Sequence, residues 1–408
     1  KNMNYFSAYL RLPRPVYILF FARIINTIGS FVYPLLAILL TFKLGFAEDA
    51  AGRITTIAVA VGGIGLLIGG KLSDKFGRKK ILIIASLLGA SCFIVCAFLG
   101  TSQIITYFLI AGNFFSLMQF PALNAMVIDK TTKTNRQNAF SLLYLGTNIG
   151  IAVGPLMAGF LINNYLFLFF IIDALTTIIS LIPILIFVKD TQSTKEDLSS
   201  IDKDDSESAE EGNVLIIMLK KPILLIFIFF SIIYSIVYSQ YAFGVPLFAN
   251  SVFGANGPKN FGFLMTVNAA VVIIFTIFII SFTSRIRPII NISIAGILFA
   301  LGFGMLFFSD YLYLFVISTF IWTIGEILLT VNTSVFIANN SPITHRARFN
   351  AIASFIAQSG FAIAPLITGQ LIVNIGIVNI WPIVFVLSLI ASATMFGLNF
   401  IEKKRNKN

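Results

Sequence analysis

Long apolar runs, separated by short polar or Gly/Pro-containing intervals, set the pattern of this chain. Twelve are read, near residues 16–42, 51–70, 80–100, 104–128, 139–163, 165–188, 222–247, 261–283, 288–308, 312–338, 349–373 and 377–401. Each holds about 20 residues or more, the length an α-helix needs to cross a bilayer. The pattern therefore predicts an all-α membrane protein of twelve transmembrane helices.

The pattern also repeats. NRQNAFSLLYLGTNIGIAVGPLMAG at 135–159 returns as HRARFNAIASFIAQSGFAIAPLITG at 345–369, with Arg136/Arg346, Gly150/Gly360, Pro155/Pro365 and Gly159/Gly369 in register. Such an echo predicts two pseudo-symmetric six-helix bundles, at 1–188 and 222–408, around a shared centre. Parallel repeats of apolar helices suit alternating access, because two bundles that rock against each other expose one central site to either side in turn.

Composition supports the membrane reading. With 58% hydrophobic and 11% charged residues in 408, the chain cannot bury its apolar surface in a soluble core, so lipid solvates most of it. The basic residues set the expected orientation. With both termini cytoplasmic, all of the 28 Lys and Arg except Lys43, Arg53, Lys259 and the intraspan Arg23 fall on the inner side, as do Lys71, Lys75, Arg78, Lys79 and Lys80 after span two. The net charge of +11 then reflects topology and gives no reason to expect nucleic acid as a partner. The first apolar run is too long for a cleavable leader and reads as a span. A cell membrane location is expected, and the richness in Ile, Asn, Phe and Lys points to an AT-rich bacterial genome.

The acids divide into two groups. Nine of the 17, from Asp190 to Glu211, crowd a Ser-rich stretch of low hydrophobicity, so 189–221 reads as an acidic cytoplasmic linker. VLIIMLKKP at 214–222 reads as a short interfacial helix at its end. Among the rest, Asp173 and Glu326 lie well inside spans. Cys92 and Cys96, four apart on one helix, are poorly placed for a disulfide and read as small packing residues. His345 lacks the neighbours of a metal site. No metal and no cofactor is expected, nor any cluster with catalytic spacing, so an enzyme or sensor embedded in the membrane is disfavoured.

Between spans two and three stands Gly70-Lys-Leu-Ser-Asp74-Lys-Phe-Gly77-Arg78-Lys79-Lys80. Its glycines permit a tight turn, Asp74 can accept from helix ends or arginines, and the basic cluster holds the inner face. This stretch resembles the signature loop of the major facilitator superfamily. The equivalent stretch of the second half, Ser281 to Pro288, keeps only the basic character of Arg285 and Arg287. A gating role thus falls to the first half, with Asp129 and Arg136 as ionic partners at the inner ends of spans four and five.

Span five carries Gly150-xxx-Gly154-Pro155-xxx-Gly159, similar to a motif of drug and metabolite exporters in that superfamily. Small residues at this spacing let helices approach closely, and the proline bends the helix. The resemblance implies close approach of spans five and eight, sealing one conformation against leak. A purely structural ridge is the competing reading.

Glu326 lies about midway along span ten, in Thr323-Ile-Gly325-Glu326. An ionised carboxylate is costly there and a protonated one much less so, which makes it the leading proton-coupling candidate. The Gly-Glu pair resembles the drug/proton antiporter branch. Asp173 is a second proton-coupling candidate, with a structural bond or ion pair equally open. Arg23 either snorkels to the inner interface or faces the cavity. The arginine that many proton antiporters of the superfamily carry in span four is absent from Gly112 to Gln119, so coupling would lean on Glu326.

The substrate-binding candidates are Arg23, Asn26, Tyr33, Asn113, Gln119, Asn148, Tyr234, Tyr238, Gln240, Asn332 and Gln358, on spans that line the cavity in the fold the resemblance implies. Aromatic walls with few fixed charges suit amphiphilic or cationic small molecules, and Glu326 can attract a cation. The reading is a monomeric secondary transporter whose partners are a small-molecule substrate, protons and membrane lipid, exporting hydrophobic or cationic compounds against proton entry. Lipid or glycolipid translocation, specific-metabolite export and symport on the same scaffold are the alternatives.

Overall fold

The computed structural model describes residues 12–132, 135–190, 222–283, 285–340 and 346–405, with backbone alone at 136–137, 277, 334, 338, 346–355, 357 and 402–405. The acidic stretch from 191, the segment 214–221 and His345 lie outside the described residues. No strand occurs among those described.

Twelve helices of 15 residues or more follow one another among the described residues. They are α1 (Arg14–Ile28), α2 (Glu48–Phe76), α3 (Arg78–Leu99), α4 (Ile105–Asp129), α5 (Arg136–Asn164), α6 (Leu166–Phe187), α7 (Pro222–Tyr238), α8 (Gly257–Thr283), α9 (Pro288–Gly304), α10 (Leu312–Asn340), α11 (Arg346–Ile375) and α12 (Ile380–Arg405). Strongly exposed apolar side chains such as Phe98, Phe282 and Phe308 clothe them, while Ser73, Asn113 and Asn291 are buried. That distribution suits a molecule whose solvent is lipid, where every backbone group must be bonded within its own helix.

Two spans differ from the sequence expectation of unbroken helices. The run at 16–42 breaks after Ile28, and helix resumes at Leu36–Ile38 and continues as a π turn at Leu39–Lys43. Pro34 accounts for the break, because it has no N–H and its ring would clash with the carbonyl four residues earlier. The run at 222–247 breaks after Tyr238 into a 3₁₀ turn, Ser239–Tyr241, and a second helical piece, Gly244–Phe253. Pro246 sits in the first turn of that piece, where a missing N–H costs nothing.

The chain divides into two compact units, Lys1–Lys195 with Ala249–Ala269, and Glu196–Phe248 with Ala270–Asn408. In the first, α2 and α3 pack on α4, and α1 packs on α5 and α6. Small residues set the closest approaches: a Cβ added at Gly65 would lie 2.3 Å from the Phe114 carbonyl oxygen, and one at Gly69 2.1 Å from that of Met118. In the second, α9 packs on α10 and α12, and α7 on α11.

The internal repeat is visible within each unit. Gly150 of α5 lies against Thr27 and Ile28 of α1, and its counterpart Gly360 of α11 lies against Ile232 of α7. A side chain at either position would collide with its neighbour, so the repeated glycines mark the same helix contact made twice.

Candidate functional site

The first unit contains a cavity of about 260 Å³. Four sequence candidates line it together, namely Asn26, Tyr33, Asn113 and Gln119, and so does Asp173. Ser30, Ser116, Phe120 and Thr177 join them, although the sequence reading passed over all four. The signal of the three hydroxyl residues is weak in one dimension, since lone hydroxyls are common in spanning helices, and Phe120 is one of many phenylalanines.

The polar atoms of this cavity are tied to its walls. Asn26 Nδ2 donates to Thr177 Oγ1 at 3.1 Å, Asn113 Nδ2 to the Ala58 carbonyl at 2.6 Å, and the Tyr33 hydroxyl to the Leu109 carbonyl at 3.2 Å. Gln119 Oε1 accepts from the Ser86 hydroxyl at 2.6 Å. Asp173 stands where the first span breaks, and its Oδ2 accepts from the Phe31 and Val32 amides at 2.9 and 3.2 Å. The carboxylate thereby satisfies two donors that the interrupted helix leaves without partners.

Arg23 is held by two neighbours. Its Nε donates to Thr147 Oγ1 at 2.9 Å, and its guanidinium lies 4.6 Å from the centre of the Phe120 ring, which borders the cavity. Asn148 is buried and bonds the Tyr144 carbonyl within its own helix at 2.9 Å.

The second unit places Glu326 beside an aromatic cluster. One turn before it on α10, Trp322 stacks on Phe303 at 5.7 Å and on Tyr241 at 5.9 Å. Tyr238 stacks on Phe299 at 5.9 Å and contacts Tyr241 at 4.7 Å. The break in α7 is what presents Tyr241, and Tyr241 lies within electrostatic reach of the Glu326 carboxylate. Gly325 has a packing reason for its place: an added Cβ would lie 2.9 Å from the Phe299 ring and 3.1 Å from the Ala295 carbonyl oxygen. Glu326 is thus carried on a helix pressed closely onto α9. Trp322 Nε1 is buried and has no hydrogen-bond acceptor among the described residues.

Other candidates of this unit join helices. The Tyr234 hydroxyl donates to the Ile292 carbonyl at 2.8 Å, Gln240 Nε2 to Thr368 Oγ1 at 2.9 Å, and Asn291 Nδ2 to Asn332 Oδ1 at 3.0 Å. Tyr234 and Gln240 are almost fully buried, whereas Gln358 is exposed. The sequence reading singled out none of Tyr241, Phe299, Phe303 and Trp322.

At the expected gate, Gly77 adopts φ of 101°, ends α2 and starts α3. Arg78 pairs with Asp129 and donates to the Ala125 carbonyl at 3.0 Å. The Lys79 amide donates to Asp190 Oδ1 at 3.2 Å. Asp74 is exposed and makes no ion pair among the described residues, and the Arg136 side chain lies outside them. In the exporter-like motif, Gly150 and Gly154 face α1, while an added Cβ at Gly159 would lie 2.3 Å from the Pro258 carbonyl oxygen of α8. Reciprocally, one at Gly262 would lie 2.2 Å from the Pro155 carbonyl oxygen.

Broken spanning helices that carry buried polar groups are the architecture of a multi-pass membrane transporter. The family model described as Major Facilitator Superfamily matches residues 19–297 and 258–408, and the chain belongs to that superfamily. Over 366 residues it is 24% identical to the Na(+), Li(+), K(+)/H(+) antiporter of Planococcus maritimus, with 84% of this chain and 85% of that one covered. Over 210 residues, 50% of each chain, it is 28% identical to multidrug resistance protein 2 of Bacillus subtilis strain 168. The crystal structure of peptide transporter POT in complex with sulfate matches with a TM-score of 0.74 at 15% identity, covering 97% of this chain and 99% of that one. That structural likeness bears on the fold alone.

Proposed function

We propose that this transporter exports hydrophobic or cationic small molecules in exchange for protons, with Glu326 as the coupling carboxylate. The observation that carries the proposal is the placement of Glu326 on α10 one turn from Trp322, with Tyr241 in electrostatic reach. Aromatic faces attract organic cations, and a carboxylate inside the hydrocarbon region binds either a proton or a cation. Competition between the two at one group gives exchange: a proton displaces the substrate on one side, and its release on the other readmits substrate. The likeness to multidrug resistance protein 2 supports the substrate class.

In this proposal two six-helix bundles, 1–188 and 222–408, alternate access in a bacterial plasma membrane, the chain acts as a monomer, and both termini are cytoplasmic. The distribution of Lys and Arg supports that orientation. The Arg78 and Asp129 pair supports a gating role for the loop after α2.

Reconstitution into proteoliposomes tests the substrate class. Ethidium or Hoechst movement driven by an imposed pH gradient is expected for the intact chain, and Tyr241→Ala and Trp322→Ala are expected to weaken it. Absence of gradient-driven movement of any amphiphile rejects the proposal. The name of the Planococcus relative favours a second reading, exchange of alkali cations for protons. Acidification driven by Na⁺, K⁺ or Li⁺ in the same vesicles, without any organic substrate, distinguishes it.

A further inference from the structure

Asp173 uses only part of its bonding capacity. Oδ2 accepts both the Phe31 and Val32 amides, whereas Oδ1 accepts no hydrogen bond among the described residues. No Lys, Arg or His lies within ion-pairing distance of it among those residues. The residue is 4% exposed, yet it borders the cavity of the first unit. A bare anion so placed is costly, because the two amides supply partial charges and no full countercharge.

The surroundings favour a positive ligand. Asn26 and Asn113 both direct their amide nitrogens to the walls, and no donor among the described residues reaches either Oδ1. Two amide oxygens of the lining thus stand without a donor among the described residues. α1 also ends at this point, at Ile28, so the negative end of its dipole and carbonyls of the unwound segment lie close by. A half-helix C-terminus, unwound backbone and a carboxylate are the elements with which broken spanning helices coordinate small cations, and hard cations take oxygen ligands.

The titratable groups around Asp173 leave its charge uncompensated. Tyr33 of the first span lines the same cavity and donates its hydroxyl to the Leu109 carbonyl, and Cys92 and Cys96 of α3 are free thiols. Arg23, further inward on α1, is engaged by Thr147 and Phe120. α5 has no charged residue from 138 to 164, and its Tyr144 is exposed. α6 itself carries no other charge.

We infer that Asp173, with Asn26, Ser30 and the broken turn of the first span, forms a binding site for a monovalent cation, filled by an alkali ion or by a proton. The inference rests on the transporter fold but on neither Glu326 nor an organic substrate, and equilibrium binding tests it without transport.

The test compares the purified full chain with Asp173→Asn and Glu326→Gln. Asparagine keeps an oxygen for the Phe31 and Val32 amides and removes the charge, which separates capping from cation binding. Radiolabelled Na⁺ binding, with Li⁺ and K⁺ as competitors and choline as control, is measured at alkaline and at mildly acid pH. Proton uptake on acidification is followed in parallel. If an alkali ion fills the site, binding saturates at alkaline pH, falls at acid pH, weakens roughly tenfold or more in Asp173→Asn and persists in Glu326→Gln. If a proton fills it, alkali binding is absent and the intact chain takes up more protons than Asp173→Asn, a difference that Glu326→Gln does not erase. Should Asp173→Asn fail to fold, Asn26→Leu removes a cavity oxygen, leaves the cap intact, and is expected to weaken alkali binding or shift the proton uptake. Neither cation binding nor a difference in proton uptake, or binding lost only in Glu326→Gln, overturns the inference.

Discussion

Arg78, the first residue of α3, pairs with Asp129, the last residue of α4, and the same guanidinium donates to the Ala125 carbonyl at 3.0 Å. One cation thus meets both the side chain and the negative end of α4, where helix carbonyls lack intrahelical donors. Asp129→Asn is expected to cost about 1–2 kcal/mol, because it removes the charge but leaves the bond to Ala125. Thermal unfolding in detergent checks it. An unchanged midpoint would show that the pair contributes nothing.

The turn before Arg78 has its own requirement. Gly77 lies at φ of 101°, and an added Cβ would stand 2.9 Å from Asp190 Oδ2. Gly77→Ala is expected to destabilise by about 1–2 kcal/mol from backbone strain. Gly70 behaves oppositely, since the nearest atom to its added Cβ is Pro121 Cβ at 3.8 Å. Gly70→Ala is expected to be neutral or stabilising by about 0.5–1 kcal/mol in the helix interior. Equal loss from both substitutions would mean that the two glycines share a demand for close packing.

The contact between α5 and α8 depends on two small residues facing backbone. Gly159→Ala and Gly262→Ala both place a methyl against a carbonyl oxygen, at 2.3 and 2.2 Å before relaxation. Each is expected to cost about 1–3 kcal/mol as overpacking. Cysteine cross-linking of the C-terminal half of α5 to the first turns of α8 should become slower in both variants. Cross-linking at the rate of the parent would place the contact elsewhere.

Much of the fold is legible in one dimension because lipid imposes a length and a composition on every span. The repeat and the loop after span two are local patterns and survive as such. The breaks are harder to read: Pro34 and Pro246 mark them, but only the tertiary contact with Asp173 shows what the interrupted first span gains. The arginine partner of Asp129 is Arg78, which stands 51 residues earlier at the start of α3, and no periodicity reports such a pairing. The aromatic cluster around Trp322 draws on α7, α9 and α10, so its members read separately as ordinary core residues.

Tyr234 and Tyr241 should separate packing from transport. Tyr234→Phe removes a buried bond to the Ile292 carbonyl and is expected to cost about 1 kcal/mol with substrate preference unchanged. Tyr241→Ala is expected to shift the concentration dependence of transport for organic cations more than for neutral amphiphiles. The reverse pattern would assign Tyr234 to the substrate path.

Dye transport driven by an imposed pH gradient, in proteoliposomes of the intact chain and of Glu326→Gln at matched reconstitution, tests the coupling role of Glu326. Glu326→Gln is expected to abolish gradient-driven transport while the protein keeps its thermal unfolding midpoint. Gradient-driven transport that proceeds undiminished in Glu326→Gln would contradict that role.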